Sequence, residues 1–168
     1  LIRIFVSKES YFLFLNRHDK KFYEDLGKVT IQNFKMIGGS GVDEKEFPFT
    51  KPLKKGKIEI VYTGRILKDK GVIDLIKAMK LLDDESKKDI VLKLYGTIDI
   101  KNPAHIKEEE LKSQLIRGFI KWEGFTSEVK RILESADIYC LPSYREGLPK
   151  SSIEAMAIGR PIITTNAP

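Results

Sequence analysis

The chain is poor in the residues that build covalent or metal frameworks. Its single cysteine, Cys140, excludes a disulfide within one chain. Two isolated histidines, His18 and His105, do not combine with that cysteine into any zinc-ligand spacing. No apolar run approaches the roughly 18 residues that span a bilayer as a helix. No Asp-x-Asp stands at the end of a predicted strand, and Asp83-Asp84 falls at a polar helix end, where solvation is expected. Internal repeats and low-complexity tracts are lacking too. Cys140 lies inside an apolar strand pattern and reads as a buried, inert thiol.

What is present is ordinary for a globular protein: 42% apolar and 32% charged residues in 168 positions. That length suits one domain, or a domain with part of another. The first residue is Leu1 and the last segment is Asn166-Ala167-Pro168, just after a predicted strand, so both ends are expected to be incomplete. The net charge of +6 is uneven. Residues 1–57 hold 12 Lys/Arg against 7 Asp/Glu, while residues 58–168 hold 18 against 17. A basic first third could face anionic lipid or nucleic acid. A solvated linker around Lys51, Lys54, Lys55 and Lys57 explains it more simply, and nothing in the remainder suits nucleic acid.

From Lys57 onward, short apolar runs alternate with helical patterns. Strands are expected at 58–62, 90–95, 119–122, 137–141 and 161–165. Val72, Leu75, Ile76, Met79 and Leu82 recur at helical spacing, and further helices are expected at 106–117, after a Thr126 cap, and at about 150–158. Repeated β-α units imply an α/β fold with a doubly wound parallel sheet. Ligands on such sheets bind beyond the carboxyl ends of the strands, which puts Gly64, Arg65, Gly96, Gly124 and Gly147 on one rim. Residues 1–42 read differently, as strand, short helix and strand before the turn-rich Gly38–Asp43. They are expected to be the tail of a preceding domain, with 43–57 as linker and 58–168 as the main domain.

One stretch carries the chemistry. Glu146-Gly147-Leu148-Pro149-Lys150-Ser151-Ser152-Ile153-Glu154 sets two carboxylates eight positions apart around a Gly-x-Pro turn, directly before a helical pattern. N–H groups at a helix N-terminus favour an anion such as phosphate. Pro149 suits the first helical position. Glu154, one turn in, leans back over the same mouth and can accept from sugar hydroxyls. Arg65 and Lys70 follow the first strand of the main domain and could bracket a diphosphate, Arg as a fork and Lys as a mobile charge. On the residues alone, the two glutamates also fit a loop acid and a helix-start acid. Trp122 reads as core at a strand end, with a base-stacking platform as the alternative. Tyr144 and Arg145 read as exposed rim and His105 as a surface histidine.

Taken in order, these pieces resemble the C-terminal, nucleotide-binding domain of retaining GT-B glycosyltransferases of family 4. The resemblance rests on Ile60 to Arg65, Lys70-Gly71, Tyr95-Gly96, Trp122-Glu123-Gly124, Ala136 to Ser143, Glu146 to Pro149, Glu154 to Ala157 and Gly159-Arg160-Pro161. It implies a nucleotide sugar as donor, usually a UDP-sugar, transferred with retention to a glycan or lipid-linked acceptor in surface polysaccharide or glycoconjugate synthesis. Arg65 and Lys70 would neutralise the leaving diphosphate, helped by N–H groups after Gly147, with Leu148, Pro149, Lys150 and Ser151 completing the donor mouth. Glu154 would hold the ribose and Glu146 the donor sugar. No metal or other cofactor is implied. The acceptor site would belong to an N-terminal domain of which only the tail is here, so the isolated chain is expected to bind donor without transferring it. A cytoplasmic protein is implied, with peripheral contact at the inner face of a membrane left open. A non-catalytic nucleotide-sugar-binding module and a GT-B epimerase of UDP-sugars remain as alternatives.

Overall fold

A computed structural model describes residues 7, 9–53 and 56–167. Lys54 and Lys55 of the basic stretch, and Pro168, lie outside the described residues, while Lys51 and Lys57 are exposed. Two compact units emerge, one from the described part of residues 1–41 with Glu146–Pro149, the other from Val42–Arg145 with Lys150–Ala167.

The first unit holds β1 (Phe12–Phe14), α1 (Arg17–Gly27) and β2 (Phe34–Met36). The two strands pair in parallel, Phe12 opposite Phe34. Phe14 is buried and meets Phe34 edge-on. Asn16 caps α1, its side chain accepting from the Asp19 N–H at 2.7 Å. Gly27 is the last helical residue, and Lys28 behind it takes the left-handed conformation at φ 48°.

The second unit is the expected α/β architecture. Five strands, β3 (Ile58–Thr63), β4 (Ile90–Tyr95), β5 (Ile120–Gly124), β6 (Ile138–Leu141) and β7 (Ile162–Thr164), form one parallel sheet in the order β5-β4-β3-β6-β7. The helices are α2 (Val72–Lys80), α3 (Asp84–Asp89), α4 (Glu108–Gln114), α5 (Val129–Ser135) and α6 (Lys150–Ile158). Alternation along β3 divides the core. Ile60 and Tyr62 join a large cluster with Val72 and Ile76 of α2 and Leu111 of α4, whereas Val61 packs with Ile132 of α5 and with Ala136. Burial of Val72 and Ile76, neither with any exposed surface, stabilises α2 on the sheet by about 1.5–3 kcal/mol per side chain.

The strand order fixes where a ligand can enter. From β3 the chain moves outward through β4 to β5, then returns to the other side of β3 for β6 and β7. Adjacent connections therefore diverge at the carboxyl ends of β3 and β6, and the crevice they leave is the usual ligand site of open α/β sheets.

Several local expectations change. Asp83 opens a helix rather than standing at the end of one: its side chain accepts from the Ser86 N–H and caps α3. Its carboxyl is held below its ordinary pKa by that backbone hydrogen bond. Thr126 does not cap α5. Its Oγ1 accepts from the Glu128 N–H at 2.9 Å and closes a turn, and Glu128 takes the cap position without a side-chain bond. The helix expected over 106–117 is limited to 108–114, because Leu115 turns extended. Cys140 is buried as expected, and desolvation pushes its thiol up to about 11.

In the stretch before β3, Phe47 enters the core and the Thr50 N–H donates to Ile158 O at 3.0 Å. Arg160, only 3% exposed, ties this segment down. Its Nε donates to Leu133 O at 3.0 Å and one terminal nitrogen donates to Thr50 O at 2.9 Å. Replacing Arg160 with Met would strand both carbonyls in the interior, at about 1–3 kcal/mol for each orphaned group. Urea unfolding of Arg160→Met should therefore show a stability loss of about 3 kcal/mol, and a midpoint equal to that of the unmodified chain would refute the clamp.

Candidate functional site

Three glycines align at the carboxyl edge of the sheet. The Gly64 N–H donates to Tyr95 O at 2.9 Å, the Gly96 N–H donates to Gly124 O at 2.7 Å, and the Ile66 N–H donates to Thr97 O at 2.9 Å. The ladder thus runs past β3, β4 and β5 into their loops. Gly96 has no alternative here: at φ 149° a Cβ would collide with the Gly64 carbonyl. Trp122 locks the same corner, its Nε1–H donating to Gly96 O at 2.8 Å, in keeping with the reading of it as core at a strand end. Gly64, Gly96 and Gly124 are therefore brought together as expected.

Arg65 leaves this rim directly. Its carbonyl accepts from the Tyr62 hydroxyl at 2.6 Å, which fixes the backbone, while the side chain remains half exposed. One guanidinium nitrogen donates to Asp99 Oδ2 at 3.1 Å. Asp99 lies in the loop after β4 and carries no motif, so nothing in the sequence marked it as the partner of Arg65.

Lys70 ends a 3-10 turn, Lys68–Lys70, which Gly71 terminates at φ 66°. Gly71 passes so close to the carbonyl of Pro142 that a Cβ could not be accommodated. Two bonds from Tyr144 seal the approach, its N–H donating to Asp69 O at 2.9 Å and its hydroxyl donating to Asp74 Oδ2 at 2.6 Å. The bond to Asp74 pushes the phenol above its ordinary pKa. Tyr144 is exposed, as expected for the rim, yet its hydroxyl is not idle. The Lys70 turn is in this way fastened to the exit of β6, across the crevice between β3 and β6.

α6 opens at Lys150, so Pro149 stands one position before the first helical residue rather than in it. The first-turn N–H groups of such a helix have no intrahelical partner. Lys150 Nζ lies 3.4 Å from Glu154 Oε1, an i,i+4 pair in which Lys150 is exposed and the Glu154 side chain only 10% exposed. Ser151 Oγ accepts a hydrogen bond from the Tyr139 hydroxyl at 2.7 Å. Glu146, Gly147, Leu148 and Pro149 connect β6 to α6 along the chain but cluster with the first unit, where a Cβ on Gly147 would meet Leu15. Glu146 is half-buried.

Beside the glycine rim lies a cavity of about 540 Å³ whose lining includes Thr97, His105, Trp122, Gly124 and Phe125. His105, expected on the open surface, is half-buried in this wall, with Nδ1 2.9 Å from Asn102 O. Phe125 and Asp99 were invisible as site residues because each is a lone side chain in a loop of no periodicity. Among the described residues no group of three or more His, Cys, Asp or Glu could hold a metal ion. None of their helices is long and apolar enough to cross a membrane.

The model of the glycosyl transferases group 1 family matches residues 43–168. A curated relative, the N,N'-diacetylbacillosaminyl-diphospho-undecaprenol alpha-1,3-N-acetylgalactosaminyltransferase of Campylobacter jejuni, is 30% identical over 92% of this chain and 42% of its own length. Among solved structures, WaaG, a glycosyltransferase involved in lipopolysaccharide biosynthesis, superposes with a TM-score of 0.77 over 98% of this chain and 47% of that one, at 16% identity. Anabaena Alr3699/HepE in complex with UDP and glucose superposes with a TM-score of 0.75 over 94% of this chain and 45% of that one, also at 16% identity. The chain spans less than half the length of each of these three, and the two structural likenesses speak to the fold, a Rossmann-like half of the GT-B type. With the family match running from the segment before β3 to the chain's last residue, the chain belongs to the glycosyl transferases group 1 family.

Proposed function

We propose that this chain supplies the donor-binding half of a retaining glycosyltransferase that uses a UDP-sugar. The observation that carries the reading is the fastening of the Lys70 turn to the exit of β6, beside Arg65, at the point where the strand order reverses. Two cations at the carboxyl ends of parallel strands, next to the open N-terminus of α6, match the charge of a nucleoside diphosphate. The neighbouring cavity between Trp122 and Phe125 has room for the nucleoside. HepE was solved in complex with UDP and glucose; those ligands are that protein's own, and they support the same donor class here.

In this reading Arg65 and Lys70 meet the charge that develops on the departing diphosphate, the electrostatic part of catalysis. Gly64, Gly96 and Gly124 let the backbone approach the nucleotide. Gly147, Leu148, Pro149, Lys150 and Ser151 present the phosphate mouth. Glu154 holds the ribose hydroxyls, and Lys150 keeps its carboxylate aimed. Glu146 contacts the sugar. Residues 1–42 are read as the tail of an acceptor-side domain, and the relative named for an undecaprenol-linked sugar favours a glycan or lipid-linked acceptor in surface glycoconjugate synthesis. Closure of two domains is what aligns reactants and excludes water, so the present chain alone binds donor and does not transfer it. Titration calorimetry with UDP tests the reading, paired with mass spectrometry of the chain incubated with UDP-sugars and glycan acceptors. Weak UDP binding without transfer is expected; no UDP binding, or robust transfer, refutes it.

The two glutamates should fail differently. Glu154 is assigned to ribose, a contact shared by ground and transition states, so Glu154→Ala should weaken UDP binding by about 1–3 kcal/mol and chiefly raise KM. Glu146 is assigned to the sugar, which free UDP lacks, so Glu146→Ala should keep UDP affinity and lower kcat in a protein that includes the acceptor half. Equal losses of UDP affinity in both variants would contradict the division of roles. Because Arg65, Lys70 and N–H groups are assigned the diphosphate charge, EDTA should leave transfer by that longer protein unchanged. Loss of activity that Mg²⁺ or Mn²⁺ restores would show a cation in their place.

A further inference from the structure

Tyr139 is fully buried in β6, yet its hydroxyl reaches the floor of the crevice between β3 and β6. It lies 2.7 Å from Ser151 Oγ, 3.3 Å from Thr63 O and 3.5 Å from Thr63 Oγ1. A phenol has one proton to give. The shortest bond holds it, so Tyr139 donates to Ser151 and receives from the Thr63 hydroxyl. Ser151 Oγ thereby uses an acceptor position and keeps its own proton for a further acceptor. Thr63, Tyr139 and Ser151 then form a chain of hydroxyls donating in one direction, from the end of β3 through β6 into the first turn of α6. Inside a protein such chains polarise one another and strengthen the last donor. That last donor, Ser151, is partly exposed, whereas Thr63 and Tyr139 are buried.

We propose that Tyr139 is a positioning residue that turns the Ser151 hydroxyl into an oriented donor to a phosphate oxygen of the nucleoside diphosphate. The inference rests on the donor-site reading above and deepens it. The three residues come from β3, β6 and α6, the elements that bound the crevice, so the chain also sets the spacing between the Arg65 strand end and the helix mouth. A hydroxyl that only filled the core would be indifferent to whether a ligand carries phosphate. A hydroxyl that orients Ser151 affects the phosphate and leaves the nucleoside alone.

The test compares UDP, by calorimetry, with uridine, by NMR titration, on the unmodified chain and on Tyr139→Phe, Ser151→Ala, Ser151→Thr and the Tyr139→Phe/Ser151→Ala double variant. Tyr139→Phe and Ser151→Ala should each weaken UDP by about three- to tenfold, the range expected for one hydrogen bond. Uridine affinity should not change. The double variant should bind UDP no more weakly than Ser151→Ala alone, because both act through one donor. Ser151→Thr, which keeps a hydroxyl, should retain most of the UDP affinity, and this comparison stands even if Tyr139→Phe unfolds. The proposal is overturned by unchanged UDP affinity in Tyr139→Phe or Ser151→Ala, by equal losses for UDP and uridine, or by additive losses in the double variant. A complete lack of UDP binding by the unmodified chain would overturn the donor-site reading itself and this proposal with it.

Discussion

The close passage of Gly71 beneath the Pro142 carbonyl is the constraint on which the geometry of the crevice depends. A side chain at position 71 would have to adopt φ 66° and displace the backbone at the end of β6 at once. Because glycine stands there, the β3–α2 connection can lie against the β6 exit, and the Tyr144 N–H can reach Asp69 O. Lys70 is the residue before that glycine. Its position is therefore set by main-chain packing, and the side chain needs only to extend. Gly96 plays the corresponding part on the other flank, where its approach to the Gly64 carbonyl holds the loops after β3 and β4 in register. The backbone that carries the charged groups is thus held by close main-chain approaches on both flanks.

The charges are arranged with equal economy. Arg65 is half exposed and faces Asp99, while exposed Lys150 faces the nearly buried Glu154. Exposed ion pairs contribute little to stability, about 0–1 kcal/mol, so neither pair explains why the fold holds together. Their value is positional. Asp99 keeps the guanidinium beside the glycine rim. Glu154 differs in being nearly buried, and exposed Lys150, one turn earlier on the same helix, reaches it at 3.4 Å.

Much of this was legible in the sequence because parallel strands and glycine turns write strong local signals. The runs at 58–62, 90–95 and 137–141 are mostly apolar, with Glu59 and Lys93 of neighbouring strands paired to each other at 2.6 Å, and the helical repeat Val72, Leu75, Ile76 and Met79 could face only inward. The short polar helix α3 left no such trace. It buries no side chain and opens on its Asp83 cap, so its acids read only as a polar, solvated helix end. Thr126 shows the opposite error: a residue suited to capping, two positions ahead of the cap Glu128, spent its oxygen on a turn instead.

The candidate site divides along the same line. Gly64, Arg65, Lys70 and the Glu146–Glu154 stretch stand out because several residue types of narrow use recur at fixed spacing, and each has a backbone or charge reason to be there. Asp99 and Tyr139 have none that sequence can express. An aspartate in a polar loop and a tyrosine in an apolar strand are common occupants of such places, and only the folded chain brings one to Arg65 and the other to Ser151. Tyr139 is the more telling case. Periodicity reads its ring, and correctly buries it, but the function of the residue lies in one oxygen at the far end of that ring. A buried hydroxyl must find partners where it ends up. Here it ends at the point where β3, β6 and α6 converge, so its hydrogen bonds fall to residues that also face the crevice. Packing and site are thus joined through a single polar atom, which is why the floor of the crevice could not be read from either the apolar pattern or the motifs alone.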